Sequence, residues 1–197
     1  MSATNRGSTR HKNDYYVTPV DSIHDFLNAF EIDEPSVFDL RGNKVILDPC
    51  AGGDSVNEMS YPTALEERGI PSDNIVTVDI RDDSPAETIA DYLGLELTVR
   101  PDVIITNPPF ILAREFIEKA LDEVAEGGFV IMLLRLNFFG SKKRRDLWRK
   151  QMPKYSYVHS RRMSFTDDGK TDTIEYQHLV WQKGHFPSHT KLKVVGA

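Results

Sequence analysis

The chain has 197 residues, of which 40% are hydrophobic and 27% charged, with a net charge of −6 and a single cysteine, Cys50. That length predicts one domain, and the lone cysteine excludes an intrachain disulfide framework and any zinc site built on two or more cysteines. The longest apolar run, Phe129 to Leu134, is far too short to cross a bilayer, and the polar N-terminus has no signal-peptide core, so the expectation is a cytoplasmic protein with no membrane partner.

In chain order, residues 1–14 read as a flexible N-terminal arm. Thr18 followed by Pro19 predicts a helix start, with Thr18 as N-cap, and Val20, Ile23, Phe26, Leu27 and Phe30 follow at helical spacing. Lys44 to Asp48 predicts a buried strand, and Pro49 to Asp54, with its paired glycines, a loop. A helix is expected from Pro62 to Arg68, stopped at Gly69, then a strand over Asn74 to Ile80. Ser84 and Pro85 with Glu87 predict a short helix in capping-box style. Asp102 to Thr106 reads as a strand. Ile111 to Ala125 reads as an amphipathic helix with Phe116, Ile117, Ala120, Leu121 and Val124 inward. Phe129 to Leu134 reads as a buried strand, and Ser141 to Gln151 as a basic helix that Pro153 stops. Tyr155 to His159 and Glu175 to Gln182 are expected strands, free to pair antiparallel because no clear helix separates them. Strands alternating with helices predict an α/β fold: a single doubly wound, mostly parallel sheet with an antiparallel strand near one edge. The domain is expected over 15–185, with 186–197 as a tail.

Three short motifs follow three of the strands. Asp48-Pro49-Cys50-Ala51-Gly52-Gly53-Asp54 puts a carboxylate and glycines at a strand's end, where α/β folds hold nucleotide-like ligands. It is not the GxGxxG pattern, so a pyrophosphate dinucleotide is not favoured, and a tight turn alone would look similar. Asp79 ends the next strand, where an acid commonly takes ribose hydroxyls or simply ends a strand at the surface. Asn107-Pro108-Pro109-Phe110 is the most specific signal. Two prolines fix an extended tetrapeptide, which aims the Asn107 amide oxygen and the Pro108 carbonyl at one point. Two such acceptors grip an NH2 group, and Phe110 can stack on the ring that bears it.

With these motifs the chain resembles the S-adenosylmethionine-dependent DNA N6-adenine methyltransferases, most of all the compact bacteriophage type, from about Tyr15 to His185. Asp-Pro-Cys-Ala-Gly-Gly resembles that family's cofactor motif and Asn-Pro-Pro-Phe its catalytic motif. Tyr16-Val17-Thr18-Pro19 resembles its N-terminal cofactor-contacting motif, and Ala90-Asp91-Tyr92-Leu93 the segment that reads the cofactor's adenine. Arg161 to Phe165 and Thr171 to Tyr176 are similar to phage-methylase sequence near the target pocket. The resemblance implies a Rossmann-like class I methyltransferase fold with S-adenosylmethionine as cofactor and DNA as substrate. It places Tyr16, Thr18, Asp48, Cys50, Gly52, Asp79 and Asp91 at the cofactor. Thr18 would contact the methionine carboxylate, Asp48 and Gly52 the methionyl end, Asp79 the ribose, and Asp91 the adenine. Asn107, Pro108, Pro109 and Phe110 would act on an extruded adenine. Two departures stand out: Asp54 replaces a second spaced glycine, and no long target-recognition insert follows the catalytic motif.

The charge is unevenly spread. Lys142 to Arg162 holds nine basic residues and one acid, Asp146, a net +8 that leaves −14 on the rest. Lys142, Lys143, Arg144, Arg145, Arg161 and Arg162 are the expected DNA-phosphate contacts, although a solvated helix face would carry a similar run. Trp148, Tyr155 and Tyr157 read as packing residues. His159, His178 and His185 lack metal-ligand spacing, so no metal is assigned. The Asn-Pro-Pro-aromatic motif also serves amino methylation in RNA and of protein glutamine. The basic run disfavours the glutamine reading, and the short chain disfavours an added RNA-binding domain. A silent cofactor- or DNA-binding partner subunit would not need an intact Asn107 to Phe110. The sequence gives no oligomeric state.

Overall fold

Apolar runs flanked by turn residues become strands, and helical-period segments cover them on both sides. A computed structural model describes residues 15–39, 44–165 and 173–196. The expected arm over 1–14 lies outside the described residues, as do Thr171 and Asp172. Eight strands form one sheet: β1 (Ile46–Asp48), β2 (Ile75–Asp79), β3 (Thr88–Ile89), β4 (Val103–Thr106), β5 (Phe129–Arg135), β6 (Tyr155–His159), β7 (Tyr176–Gln182) and β8 (Lys191–Val195). Their order is β3-β2-β1-β4-β5-β7-β6-β8. β7 runs antiparallel to β5 and β6, and all other pairings are parallel.

Alternation along each strand splits the core in two. Ile46, Val103, Ile105 and Ile131 face α1 (Val20–Asp33) and α2 (Ser60–Glu66). Leu47, Ile104, Val130 and Met132 face α3 (Ala113–Glu123) and α4 (Arg145–Lys150). With both faces covered, β1, β4 and β5 are largely continuous apolar runs rather than alternating ones. In α1, Ile23, Phe26, Leu27 and Phe30 are fully buried. Phe30 stacks on Phe26 with centroids 5.4 Å apart and meets Phe129 edge-on at 5.5 Å, so truncating it to alanine costs about 3–5 kcal/mol.

Strand order reverses between β1 and β4, which opens a crevice at their carboxyl ends. The glycine loop leaves β1 and the Asn107 tetrapeptide leaves β4, so topology sets the two motifs face to face. Across that seam Thr106 Oγ1 donates to Asp48 Oδ1 at 2.6 Å.

Several expectations shift. The helix at Ser84 does not form. The Ser84 hydroxyl donates to the Gly52 carbonyl and accepts from the Ala86 N–H at 3.2 Å, while the Glu87 N–H donates to Thr77 Oγ1. These bonds hold the segment extended, and it enters β3 instead. Thr18 does not cap α1: Pro19 occupies the cap position, and its carbonyl takes the Ser22 and Ile23 N–H groups. The basic helix is shorter than expected, a 3-10 turn over Lys142–Arg144 followed by α4. Residues 186–197, expected as a tail, include β8, which pairs with β6 at the sheet edge. Tyr155 and Tyr157 are core residues, and their hydroxyls donate to Glu34 and Asp33.

Candidate active site

One cleft gathers residues from both motifs: Tyr16 and Thr18 from the segment before α1, Cys50 and Gly52 from the loop after β1, Asp79 and Arg81 after β2, and Asn107 and Pro109 after β4. Asp48 lies beneath this wall, 1% exposed. Its Oδ1 accepts from Thr106 and from the Cys50 N–H at 3.1 Å, while Oδ2 has no hydrogen-bond partner among the described residues. Burial, reinforced by the nearby Asp79 charge, pushes the Asp48 carboxyl up to about 7, against the pull of its two donors. Burial and the same carboxylates push the Cys50 thiol up, so it offers no thiolate nucleophile.

Gly52 and Gly53 both lie in the left-handed region, φ +70° and +73°. A Cβ on Gly52 would stand 3.0 Å from the Tyr15 ring, and one on Gly53 would stand 2.9 Å from Met59. Glycine is therefore required by backbone shape and by space. Asp79 braces the loop: Oδ2 accepts the Gly52 N–H at 2.8 Å and Oδ1 the Arg81 N–H at 2.8 Å. Each oxygen accepts one N–H and so keeps further acceptor capacity. The Arg81 guanidinium lies 3.6 Å above the Tyr15 ring and donates to the Gly53 carbonyl at 2.6 Å, leaving its buried Nη1 unpartnered among the described residues. Asp54, which stands where the resembled family has a second spaced glycine, accepts the Val56 and Asn57 N–H groups and the Tyr15 hydroxyl. Those donors hold its carboxyl down at about 2. The carboxylate thus turns the loop and pins Tyr15 over it.

On the opposite wall Asn107 Nδ2 donates to Thr18 Oγ1 at 3.1 Å. The hydroxyl that does not cap α1 fixes the amide, with Oδ1 as the free acceptor. No described residue donates to that oxygen or to the Pro108 carbonyl. Phe110 joins an aromatic wall. Tyr176 lies 5.8 Å from it and Phe165 4.8 Å from Tyr176, with Tyr16 6.0 Å from Phe165. Arg135, the last residue of β5, sits 4.7 Å over Phe110, and its buried Nε is unpartnered among the described residues.

Not every expected residue lines the cleft. Asp91 is exposed and caps the Tyr92–Gly94 turn through the Leu93 N–H. Arg144 is half-buried, stacked 4.0 Å over Phe138 and bonded to its carbonyl. Arg162 reaches Glu175 at 3.5 Å. Lys142, Lys143, Arg145 and Arg161 have no ion pair among the described residues. Tyr61 of α2 also lines the cleft, and Tyr15, Tyr61, Arg81 and Arg135 were not expected from the sequence. Arg81 and Arg135 could have been found, because loops and residues at the carboxyl ends of parallel strands line the crevice. Among the described residues no three histidine, cysteine, aspartate or glutamate side chains cluster as a metal site, and no helix is long and apolar enough to cross a membrane.

No family model matches the sequence, and no curated protein matches it. Solved structures do match. A Listeria monocytogenes protein provisionally described as a class I S-adenosylmethionine-dependent methyltransferase aligns over 92% of this chain and 66% of its own, with TM-score 0.58 and 16% identity. A Pyrococcus horikoshii protein provisionally described as an RNA methyltransferase aligns over 92% and 94%, with TM-score 0.60 and 16% identity. The type IIG restriction endonuclease BpuSI aligns over 89% of this chain and 26% of its own, with TM-score 0.61 and 15% identity. The chain thus spans just under two thirds of the Listeria protein and about a quarter of BpuSI. The fold is the Rossmann-like fold of class I methyltransferases. The cleft fits S-adenosylmethionine: an unpartnered buried carboxylate oxygen suits its ammonium group, acceptors on Asp79 suit ribose hydroxyls, and the two glycines leave room for close backbone approach.

Proposed function

We propose that this protein methylates an exocyclic amino group of a nucleic-acid base, and we assign N6 of adenine in DNA as the target. The observation that carries this reading is the Thr18–Asn107 hydrogen bond, which leaves Asn107 Oδ1 and the Pro108 carbonyl as two adjacent free acceptors. An exocyclic amine is a weak nucleophile because its lone pair is shared with the ring. Hydrogen bonds from its two N–H groups to these acceptors return charge to nitrogen and favour a pyramidal geometry. Bound in the cleft, S-adenosylmethionine would supply an electrophilic methyl group on a sulfonium centre, so no covalent enzyme intermediate is needed.

The remaining contribution of the chain is placement. Asp79 and the Gly52 loop hold one reactant, while Asn107, Pro108 and Phe110 hold the other within a near-attack distance of roughly 3–3.5 Å. The target base has to leave its stack, at a cost of a few kcal/mol. Phe110 and Phe165, backed by the buried Tyr176, offer stacking that offsets this cost. Lys142, Arg145 and Arg161 would hold phosphates. In the test, Asn107→Ala abolishes methyl transfer to DNA while cofactor affinity stays within a few-fold of wild type. Retained turnover would overturn the assignment of Asn107.

A further inference from the structure

Beyond the cleft, one surface groove combines cations with aromatic rings. Phe139, Ser141, Lys142, Arg145, Trp148 and Arg149 line it. Within it Trp148 leans on Phe139 with centroids 5.0 Å apart and meets Phe138 edge-on at 5.6 Å. The indole N–H donates to the Phe139 carbonyl at 3.3 Å, which fixes the ring. The only acid of the segment, Asp146, is taken by Arg114 at 2.7 Å. Lys142, Arg145 and Arg149 are exposed and have no ion pair among the described residues.

The groove lies on the same rim as the cleft. Phe139 ends the short turn that follows β5, the neighbour of β4. Arg114, in the first turn of α3 after Phe110, bonds the Lys143 carbonyl at 2.8 Å and so ties the basic segment to the catalytic side.

We propose that this groove holds an unpaired base of the substrate strand beside the target, stacked on Trp148 and Phe139, with its flanking phosphates on Lys142, Arg145 and Arg149. The inference rests on the nucleic-acid reading above and deepens it. Unpaired cations alone would suit any polyanion, and a duplex presents phosphates, sugars and base edges to such a surface but keeps its base faces stacked. A fixed indole beside three unpaired cations matches a strand whose bases are splayed, since every base offers a face to stack and every linkage a charge. The groove would therefore favour a substrate with unpaired nucleotides next to the target and add little sequence preference.

The test uses the wild-type protein and an oligothymidylate of about twelve nucleotides, which has no exocyclic amino group for the Asn107 and Pro108 acceptors. The chain has two tryptophans, and Trp181 is buried at 2% exposure, so quenching by a surface-bound base reports on Trp148. Oligothymidylate should quench saturably. An abasic strand of equal length should bind about tenfold more weakly without quenching. Replacing Lys142 and Arg149 with alanine, both exposed and safe for folding, should lower the salt slope by about 1.4. An abasic strand that binds equally well, or a blunt duplex that quenches as strongly, would overturn the proposal. Methyl transfer to adenine-containing DNA, scored in parallel, separates the two claims. DNA methylated by a protein that oligothymidylate does not quench refutes the groove alone. Quenching by a protein that methylates no nucleic acid refutes the proposed function and leaves the groove standing.

Discussion

Asp48 should make cofactor affinity depend on pH in a predictable direction. Its free Oδ2 suits a cation, and only the ionised carboxylate attracts one. Its carboxyl stands at about 7, raised from 3.8 mainly by burial. The groups that face it are Thr106 on β4, Cys50 in the loop, Asp79 on β2 and Tyr61 on α2. None of them is a cation, so the ligand's ammonium would be the first positive charge beside it. A raised carboxylate pKa means that protons compete with the ligand from below. Affinity then follows the ionised fraction, falling about tenfold from pH 8 to pH 6 and about ninetyfold from pH 8 to pH 5. Calorimetry with S-adenosylhomocysteine across this range measures it, with methylthioadenosine, which lacks the amino acid end, as a control of flat affinity. An S-adenosylhomocysteine profile flat between pH 8 and 5, or an Asp48→Asn variant with the wild-type slope, would refute the reasoning.

Thr18→Val keeps the shape but removes the acceptor that orients Asn107. One neutral hydrogen bond is worth about 0.5–1.5 kcal/mol, so kcat at saturating cofactor should fall about 2- to 10-fold; a change confined to the cofactor KM would place Thr18 on the cofactor alone. Gly52→Ala forces a left-handed residue against the Tyr15 ring, at about 1–2 kcal/mol of backbone strain. Calorimetry should show cofactor affinity lowered about 5- to 30-fold, and unchanged affinity would contradict the close-approach argument. The third concerns acid stability. His159 donates to or accepts from His178 at 2.8 Å, and His178 contacts the Tyr61 hydroxyl at 2.9 Å. Burial depresses the His159 pKa to about 4 and lowers that of His178 as well. A depressed histidine contributes stability above its unfolded pKa and loses it as pH falls. His159 alone should cost about 2 kcal/mol between pH 7.5 and pH 5. Urea unfolding at the two values checks this, and His159→Gln should flatten the difference; an unaltered difference would remove the histidine pair as its source.

The α/β alternation was legible because the runs at β1, β2, β4 and β5 are apolar and bounded by turn residues, and because α1 and α3 show clear helical spacing. The cleft was legible at its two strand-end motifs for the same reason: topology places carboxyl ends of parallel strands together. What the sequence hid was long-range. Ser84-Pro85-Ala86-Glu87 has a helix-start pattern, but Gly52 and Thr77 compete for its hydrogen bonds and win. Thr18 has an N-cap's identity and position, yet Asn107, 89 residues away, takes its hydroxyl. His159 and His178 are scattered in sequence and become partners only through the pairing of β6 with β7. β8 alternates lysine with apolar residues on an exposed edge, so its pattern is weak for a strand. Arg81 and Tyr15 meet only because the segment before α1 folds over the glycine loop.

The most direct test of the account is tritiated methyl transfer from S-adenosylmethionine to unmethylated DNA, total RNA and a protein extract in parallel, followed by nucleoside digestion. The account predicts label in N6-methyladenine from DNA. Label confined to RNA or to protein would contradict it.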